Sequence, residues 1–204
     1  MLKIYGIPRS RAFRTLWMAK ELGIDYENVQ IGIGDGTNRT PEFLAVNPNG
    51  FIPAIDDDGF TLWESLAINL YLAKKYNPGV LYPTALEDEA RAWQWSFWGM
   101  TTVERPVLTA LFHRALHPEE KRDAALADDA ERQLQAPFAV LDGAVSGSPY
   151  LLGDSFTVAD LNIASILAWA RPSRLDFTPF PKAADWLKRC ADRPAARAAR
   201  DLQR

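Results

Sequence analysis

Short apolar runs alternate with helical patterns over the first eighty residues of the 204-residue chain. Apolar runs of strand length, stopped by Gly, Pro or Asp, predict strands at 2–5, 26–31, 51–56 and 60–63. Apolar residues at i, i+3, i+4 spacing predict helices between Ser10 and Gly23, at 41–46 and at 65–76. The order β-α-β-α-β-β-α favours a small mixed sheet with helices on its faces.

The second half of the chain contains no convincing strand pattern. Stretches rich in Ala, Leu, Arg and Glu predict helices at 87–116, 119–144, 157–170 and 181–190. Pro106 and Pro137 are expected to kink or divide two of these helices. The predicted organisation is therefore an α/β domain at 1–77, a linker at 78–86 rich in turn residues, and an all-helical domain at 87–204.

Composition narrows the class of protein. Hydrophobic residues make up 48% of the chain and the formal net charge is −3. This slightly acidic balance disfavours nucleic acid as the main partner, since phosphate-binding domains usually carry net positive charge. We find neither a signal-peptide pattern nor an apolar run of about 18 residues. A cytoplasmic protein without a membrane partner is expected.

Metal and disulfide chemistry receive little support from the sequence. Cys190 is the single cysteine, so an intramolecular disulfide framework and a Cys-rich zinc module are excluded. His113 and His117 have helical spacing, but the first lacks the neighbouring Glu of a zinc-protease helix. We expect no metal site, and we expect Cys190 to be a buried small apolar residue.

Trp93, Trp95 and Trp98 cluster within six residues of one predicted helix. One interpretation is that they fill the core of the helical domain. The other is that some of them line an apolar ligand cleft, as aromatic residues often do. Both interpretations stay open, because one helix has several faces.

Four segments, in order and at sensible spacing, resemble cytosolic glutathione S-transferases of the bacterial type. The resembling segments are Tyr-Gly-Ile-Pro-Arg-Ser-Arg-Ala at 5–12, Pro-Glu-Phe-Leu at 41–44 with Asn-Pro-Asn-Gly at 47–50 and Ile-Pro at 52–53, Leu-Trp-Glu-Ser-Leu-Ala-Ile at 62–68, and Ser-Phe-Thr-Val-Ala-Asp at 155–160. Each motif alone is short. The ordered set covers both halves of the chain.

The resemblance implies an α/β thioredoxin-like N-terminal domain that binds glutathione, and an all-α C-terminal domain that supplies the electrophile pocket. The implied activity is that of a glutathione transferase, which activates the glutathione thiol for attack on a small electrophile. It also implies detoxification chemistry, a homodimer, and glutathione as co-substrate with no permanently bound cofactor. The thiolate is the nucleophile, so such a site must stabilise an anion.

Ser10 is the predicted catalytic residue. It follows the first predicted strand and opens the first predicted helix, where free N–H groups favour negative charge. Its hydroxyl would donate to sulfur and lower the thiol pKa, with Arg11 adding a cation next to it. Two alternatives stay open: Ser10 as a helix cap only, and Tyr5 as the donor.

The resemblance places glutathione-binding residues in two further segments. The family carries a cis bond before the proline matching Pro53, which would let the backbone of Ile52 pair with glutathione in the manner of an added strand. Ser65 would donate to the γ-glutamyl carboxylate at a helix start, and Glu64 would accept from the α-ammonium group. The alternatives are an ordinary trans proline and a Ser65 that only caps its helix.

Phe51 departs from the family pattern. Many members have Lys or Gln at this position, and that side chain reaches the glycyl carboxylate of glutathione. Phe51 cannot do so, and Asn38 or Arg39 could replace it.

Thr157-Val158-Ala159-Asp160 is a capping box, for which we expect a structural role.

Two other functions remain possible at this stage. One is a non-catalytic glutathione-binding or scaffold protein, which would keep the Glu64-Ser65 turn without turnover. The other is a glutathione-dependent disulfide or peroxide oxidoreductase, which usually has a cysteine where this chain has Ser10.

Overall fold

In the computed structural model, which describes residues 1–202, four short strands form one sheet in the order β2-β1-β3-β4. The strands are β1 (Leu2–Tyr5), β2 (Tyr26–Val29), β3 (Ala54–Asp57) and β4 (Phe60–Trp63). β1 runs parallel to β2 and antiparallel to β3, and β3 runs antiparallel to β4. The ends of β1, β2 and β4 therefore meet the start of β3 at one edge.

The helices within residues 1–82 follow the predicted pattern closely. They are α1 (Ala12–Leu22), α2 (Pro41–Val46) and α3 (Ser65–Tyr76), with a short 3-10 turn at Thr37–Arg39. The apolar stripe Phe13, Leu16 and Trp17 is buried, and Gly23 ends α1 in the left-handed conformation with φ 65°. α1 packs against α3, while Phe43 of α2 belongs to a separate apolar cluster with Ile31, Ile52 and Ala54.

The helical unit spans Pro83–Ala191. Its helices are α4 (Leu86–Trp98), α5 (Glu104–Leu111), α6 (Ala124–Ala144), α7 (Val158–Leu167) and α8 (Pro181–Ala191). π-helical segments at Gly99–Val103 and Phe112–Leu116, and a 3-10 turn at Glu119–Lys121, separate some of them. Pro106 lies in the first turn of α5, directly after a π-helical segment, whereas Pro137 does not divide α6.

α7 forms the core of the helical unit, and all of its residues are buried. The predicted capping box is present: the carboxylate of Asp160 accepts from the Thr157 backbone N–H at 3.0 Å. The same carboxylate also accepts from the Leu151 N–H and from the Trp186 indole N–H, each at 2.9 Å. Burial raises the pKa of the Asp160 carboxyl, and these hydrogen bonds oppose that shift.

The end of the chain departs from the predicted helical domain. A further helix, α9 (Pro194–Asp201), belongs to the first unit, which comprises Met1–Tyr82 and, of the described residues, 192–202. It packs against α1, where the guanidinium of Arg193 donates from Nε to Glu21 at 2.8 Å. The division after Tyr82 falls inside the predicted linker, but the last helix does not belong with residues 83–191.

The three clustered tryptophans of α4 are not fully buried, contrary to the interpretation that they fill the core. Trp93 is 43% exposed and Trp95 and Trp98 are half-buried, whereas the fully buried tryptophans are Trp17 and Trp186. Cys190 is buried in α8, as expected. None of the helices within residues 1–202 has the length and apolar character needed to cross a membrane.

A buried carboxylate joins β3 to α3 at the edge of the sheet opposite the start of β3. Asp57 accepts hydrogen bonds from Lys75 at 2.6 Å, Tyr71 at 2.9 Å and Tyr76 at 3.0 Å. Burial raises the pKa of the Asp57 carboxyl, but these donors outweigh burial and hold the pKa below the ordinary value of 3.8. The carboxylate form therefore stabilises the fold.

We expect Asp57→Asn to lower the free energy of unfolding by about 2–4 kcal/mol at neutral pH, since buried donors lose a charged acceptor. Because the folded pKa lies below the unfolded one, this stabilisation is complete above about pH 4 and is lost as the pH falls through the folded pKa. Urea denaturation at pH 7 and pH 3 measures it. Asp58→Asn, at an exposed carboxylate in the adjacent turn, is the control. An equal effect of both substitutions at pH 7 would contradict the assignment.

Candidate active site

The turn after β1 brings the start of α1 against the loop before β3. Gly6 has φ 134°, and a Cβ built there would lie 2.8 Å from the Ala12 Cβ and 3.1 Å from the Ile52 Cβ. Backbone hydrogen bonds fix the turn to the end of β2, with Gly6 N–H donating to Val29 and Ile7 N–H donating to Ile31. Glycine is required here by both the close approach and the positive φ.

Ser10 lies inside this turn and is 8% exposed. Its hydroxyl donates to the Ile7 carbonyl at 2.7 Å. It also accepts, at 3.0 Å, from the N–H of Ala12, which is the first residue of α1. Ser10 thus binds backbone groups on both sides of the turn. The hydroxyl sits at the N-terminal end of an 11-residue helix, where negative charge is favoured.

The loop before β3 is held by side chains from the preceding segment. The Asn38 amide donates to the Gly50 carbonyl at 2.8 Å, and an Arg39 guanidinium N–H donates to the Asn49 carbonyl at 3.2 Å. The Arg39 guanidinium lies 5.9 Å from the centre of the Phe51 ring, which is 66% exposed. The Ile52–Pro53 peptide bond is cis.

The Glu64-Ser65 turn lies at the same edge of the sheet. The register pairs Ala54 with Trp63, so the residues after β4 lie next to the loop that ends at Pro53. Glu64 is exposed and has φ 72°, a left-handed conformation that is unusual for a non-glycine residue. Ser65, the first residue of α3, is 3% exposed.

Tyr5 packs against the apolar cluster of Ile31, Phe43, Ile52 and Ala54. Its ring packs 5.9 Å from the Phe43 ring and against the cluster that α2 contributes to. Burial raises the pKa of the Tyr5 phenol. Alternation along β1 places Tyr5 on the face opposite Ile4, and its ring packs on the side of the sheet where α2 lies.

Three features therefore lie at one edge of the sheet: the turn of Ser10, the cis Ile52–Pro53 bond and the start of α3. Asn38 and Arg39 hold the loop before β3 through hydrogen bonds to its backbone. Arg14 was not predicted as a site residue; it is fully buried and donates from Nη1 to the Ser65 hydroxyl at 3.2 Å. No local pattern marks this contact, because 51 residues separate the two. Within residues 1–202, no group of three or more His, Cys, Asp or Glu side chains could hold a metal.

Comparison with known proteins agrees with this geometry. Residues 1–74 match the family model of the glutathione S-transferase N-terminal domain, and residues 105–194 match that of the C-terminal domain. The chain is 33% identical over 200 residues to glutathione S-transferase GstB of Escherichia coli strain K12, covering 97% of this chain and 96% of GstB. It is 35% identical over 204 residues to glutathione S-transferase 3 of Zea mays, covering 95% and 90%.

A solved structure extends the comparison to three dimensions. The theta-class glutathione S-transferase of Xanthomonas axonopodis pv. citri, determined with glutathione bound, superposes with a TM-score of 0.90 at 31% identity. The match covers 97% of this chain and 96% of that one. A thioredoxin-like unit followed by a helical unit is the architecture of this class of transferase. The chain belongs to the glutathione S-transferase family, and it is an enzyme that uses glutathione as co-substrate.

The close approach at Gly6 yields a test of the site's construction. We expect Gly6→Ala to lower the free energy of unfolding by at least roughly 2 kcal/mol, because the new Cβ meets Ala12 and Ile52 at a positive φ. The affinity for glutathione should fall in parallel. Urea denaturation and calorimetry measure the two effects.

Gly147→Ala is the matched control, since a Cβ at Gly147 meets no atom within 4 Å. It should change the free energy of unfolding by less than about 0.5 kcal/mol. A Gly6→Ala protein with wild-type stability and affinity would show that the contact of these segments is not required.

Proposed function

We propose that glutathione binds along the edge of the sheet where Ser10, Ile52 and Ser65 are gathered, with its thiol at Ser10. The observation that carries the proposal is that two helix starts and the loop before β3 lie at one edge of the sheet, with the start of α1 and Ile52 in close approach at Gly6. Helix starts supply N–H groups and a positive dipole end, which suit a carboxylate and a thiolate. The Ile52 backbone precedes β3 and would pair with the peptide backbone of glutathione.

In this proposal the two ends of glutathione bind different groups. The Ser65 hydroxyl donates to the γ-glutamyl carboxylate, and the exposed Glu64 carboxylate accepts from the α-ammonium group. Arg39 uses one of its five N–H groups on Asn49. Its remaining N–H groups bind the glycyl carboxylate, because Phe51 has no side-chain donor for it. The Asn38 amide supports the loop instead, since it already donates to Gly50.

Ser10 would activate the thiol. A free thiol has a pKa near 8.5, so most of it is protonated at neutral pH. The Ser10 hydroxyl now donates to the Ile7 carbonyl, and a rotation about χ1 redirects that donor to sulfur. A donor to the thiolate favours the charged form and lowers the thiol pKa.

The second substrate is proposed to be a small electrophile bound by the helical unit, and the chemistry is detoxification in the cytoplasm. The oxidoreductase alternative finds no support, since the chain's single cysteine, Cys190, is buried in α8. A protein-bound mixed disulfide would need an accessible thiolate. Transfer of the glutathione sulfur to carbon needs only the thiolate and the electrophile.

The test of this proposal is Ser10→Ala. We expect kcat near neutral pH to fall roughly 10–100-fold, because the substitution removes one hydrogen bond to an anion. Activity should partly recover at higher pH, where the thiol ionises without help. Steady-state kinetics across pH with an aryl halide as electrophile measure both effects.

Ser10→Thr is the matched control, because it keeps the hydroxyl and should retain most of the rate near neutral pH. A Ser10→Ala enzyme with normal activity and an unshifted pH profile would refute thiol activation by Ser10. A lower melting temperature without loss of rate would show that Ser10 only caps α1.

We further propose a homodimer. α4 exposes an apolar stripe at i, i+7, i+11 spacing, formed by Leu86 (74% exposed), Trp93 (43%) and Phe97 (69%). β4 of the first unit exposes Phe60 and Trp63 as well. Exposed apolar patches on folded proteins mark interaction sites, and a second copy of the chain would cover these.

Light scattering at micromolar concentration should therefore give about twice the chain mass of 22.9 kDa. Phe97→Glu should shift the mass towards that of one chain, because it places a charge in the stripe. Val140→Glu, at an exposed apolar position on α6, is the control and should leave the mass unchanged. A wild-type monomer with full activity would refute the dimer.

A further inference from the structure

Arg14 is a fully buried arginine in the first turn of α1, directly beneath the start of α3. Its Nη1 donates to the Ser65 hydroxyl oxygen at 3.2 Å. Its backbone carbonyl accepts from the Asn69 amide at 3.4 Å, one turn further along α3. Both contacts join the same two helices, so the guanidinium is held in place by the packing of α1 against α3.

The direction of the Arg14–Ser65 hydrogen bond has a chemical consequence. A serine hydroxyl has one hydrogen to donate and two lone pairs to accept with, and a guanidinium can only donate. Arg14 therefore occupies a lone pair and leaves the hydroxyl hydrogen for another partner. Within residues 1–202, the Ser65 hydroxyl only accepts, from Arg14, and donates to no group, although the side chain is 3% exposed.

The charge of Arg14 matters as well as its geometry. A guanidinium keeps its proton at every pH at which the protein is folded. It lies beside the first residue of a 12-residue helix, whose N–H groups already favour an anion. In a buried environment the attraction between the guanidinium and an anion is stronger than it would be in water.

We propose that Arg14 is a positioning residue for the γ-glutamyl α-carboxylate of glutathione: it orients the Ser65 hydroxyl towards that carboxylate and supplies a buried positive charge behind it. This role rests on the proposed binding of the carboxylate by Ser65. Arg14 acts through Ser65 and does not take part in the chemistry at sulfur.

Two ligands distinguish this role from a merely structural one. The first is glutathione, and the second is glutathione whose γ-glutamyl α-carboxylate has been converted to an amide. Arg14→Gln should raise the Kd of glutathione about tenfold, the usual loss for a hydrogen bond to a charged group, and raise that of the amide less than twofold. At saturating glutathione, kcat should fall less than twofold, so the defect lies in KM.

A double-mutant cycle tests whether Arg14 acts through Ser65. Ser65→Ala should raise the Kd of glutathione about tenfold, and Arg14→Gln with Ser65→Ala should stay within about threefold of Ser65→Ala alone. If Arg14→Gln does not fold, Arg14→Lys replaces it in both experiments. Lysine keeps the charge without the planar fork, so we expect a smaller loss that is still confined to the carboxylate ligand.

The outcomes separate the two proposals. Unchanged affinity in Ser65→Ala would overturn the placement of the carboxylate, and the role of Arg14 with it. A loss in Ser65→Ala, combined with equal losses for both ligands in the Arg14 variant, would overturn only the role of Arg14. Additive losses in the double variant would also overturn it, since they would mean that Arg14 acts independently of Ser65.

Discussion

The absence of a side chain at Gly6 is the constraint on which the site depends. At that point the turn after β1, the first residue of α1 and the loop before β3 approach so closely that a Cβ would lie 2.8 Å from Ala12 and 3.1 Å from Ile52. Ser10 belongs to the turn and the cis Ile52–Pro53 bond to the loop. A single close backbone contact therefore sets the separation between the proposed thiol donor and the proposed backbone partner of glutathione.

α3 is fixed at both of its ends, and each end uses a buried charge. Near its C-terminus, Lys75 and two tyrosines donate to the Asp57 carboxylate at the end of β3. At its N-terminus, the Arg14 guanidinium donates to Ser65. Anchoring at both ends keeps the start of α3 at a constant position relative to the sheet, which the proposed binding of a carboxylate there requires.

The sequence predicts what depends on local pattern. The bounds of β1, β4, α2 and α3 agree with the apolar periodicity, and the left-handed end of α1 at Gly23 follows from residue type. Residue type and resemblance also directed attention to Ser10, Ile52 and Ser65, whose roles remain proposals. The cis Ile52–Pro53 bond confirms an expectation that came from the resemblance, not from the residues alone.

What the sequence did not predict depends on distant contacts. The packing of α9 on α1 joins Arg193 to Glu21 across 172 positions, and the Arg14–Ser65 bond spans 51. Trp93 is exposed because α4 has an apolar face outside the core of its unit, which composition cannot reveal.

Stabilisation of a thiolate by the helix start at Ser10 is measured directly by ultraviolet difference titration of glutathione bound to the wild-type enzyme. We expect a bound-thiol pKa well below the free value of about 8.5, and an unshifted pKa would contradict this stabilisation.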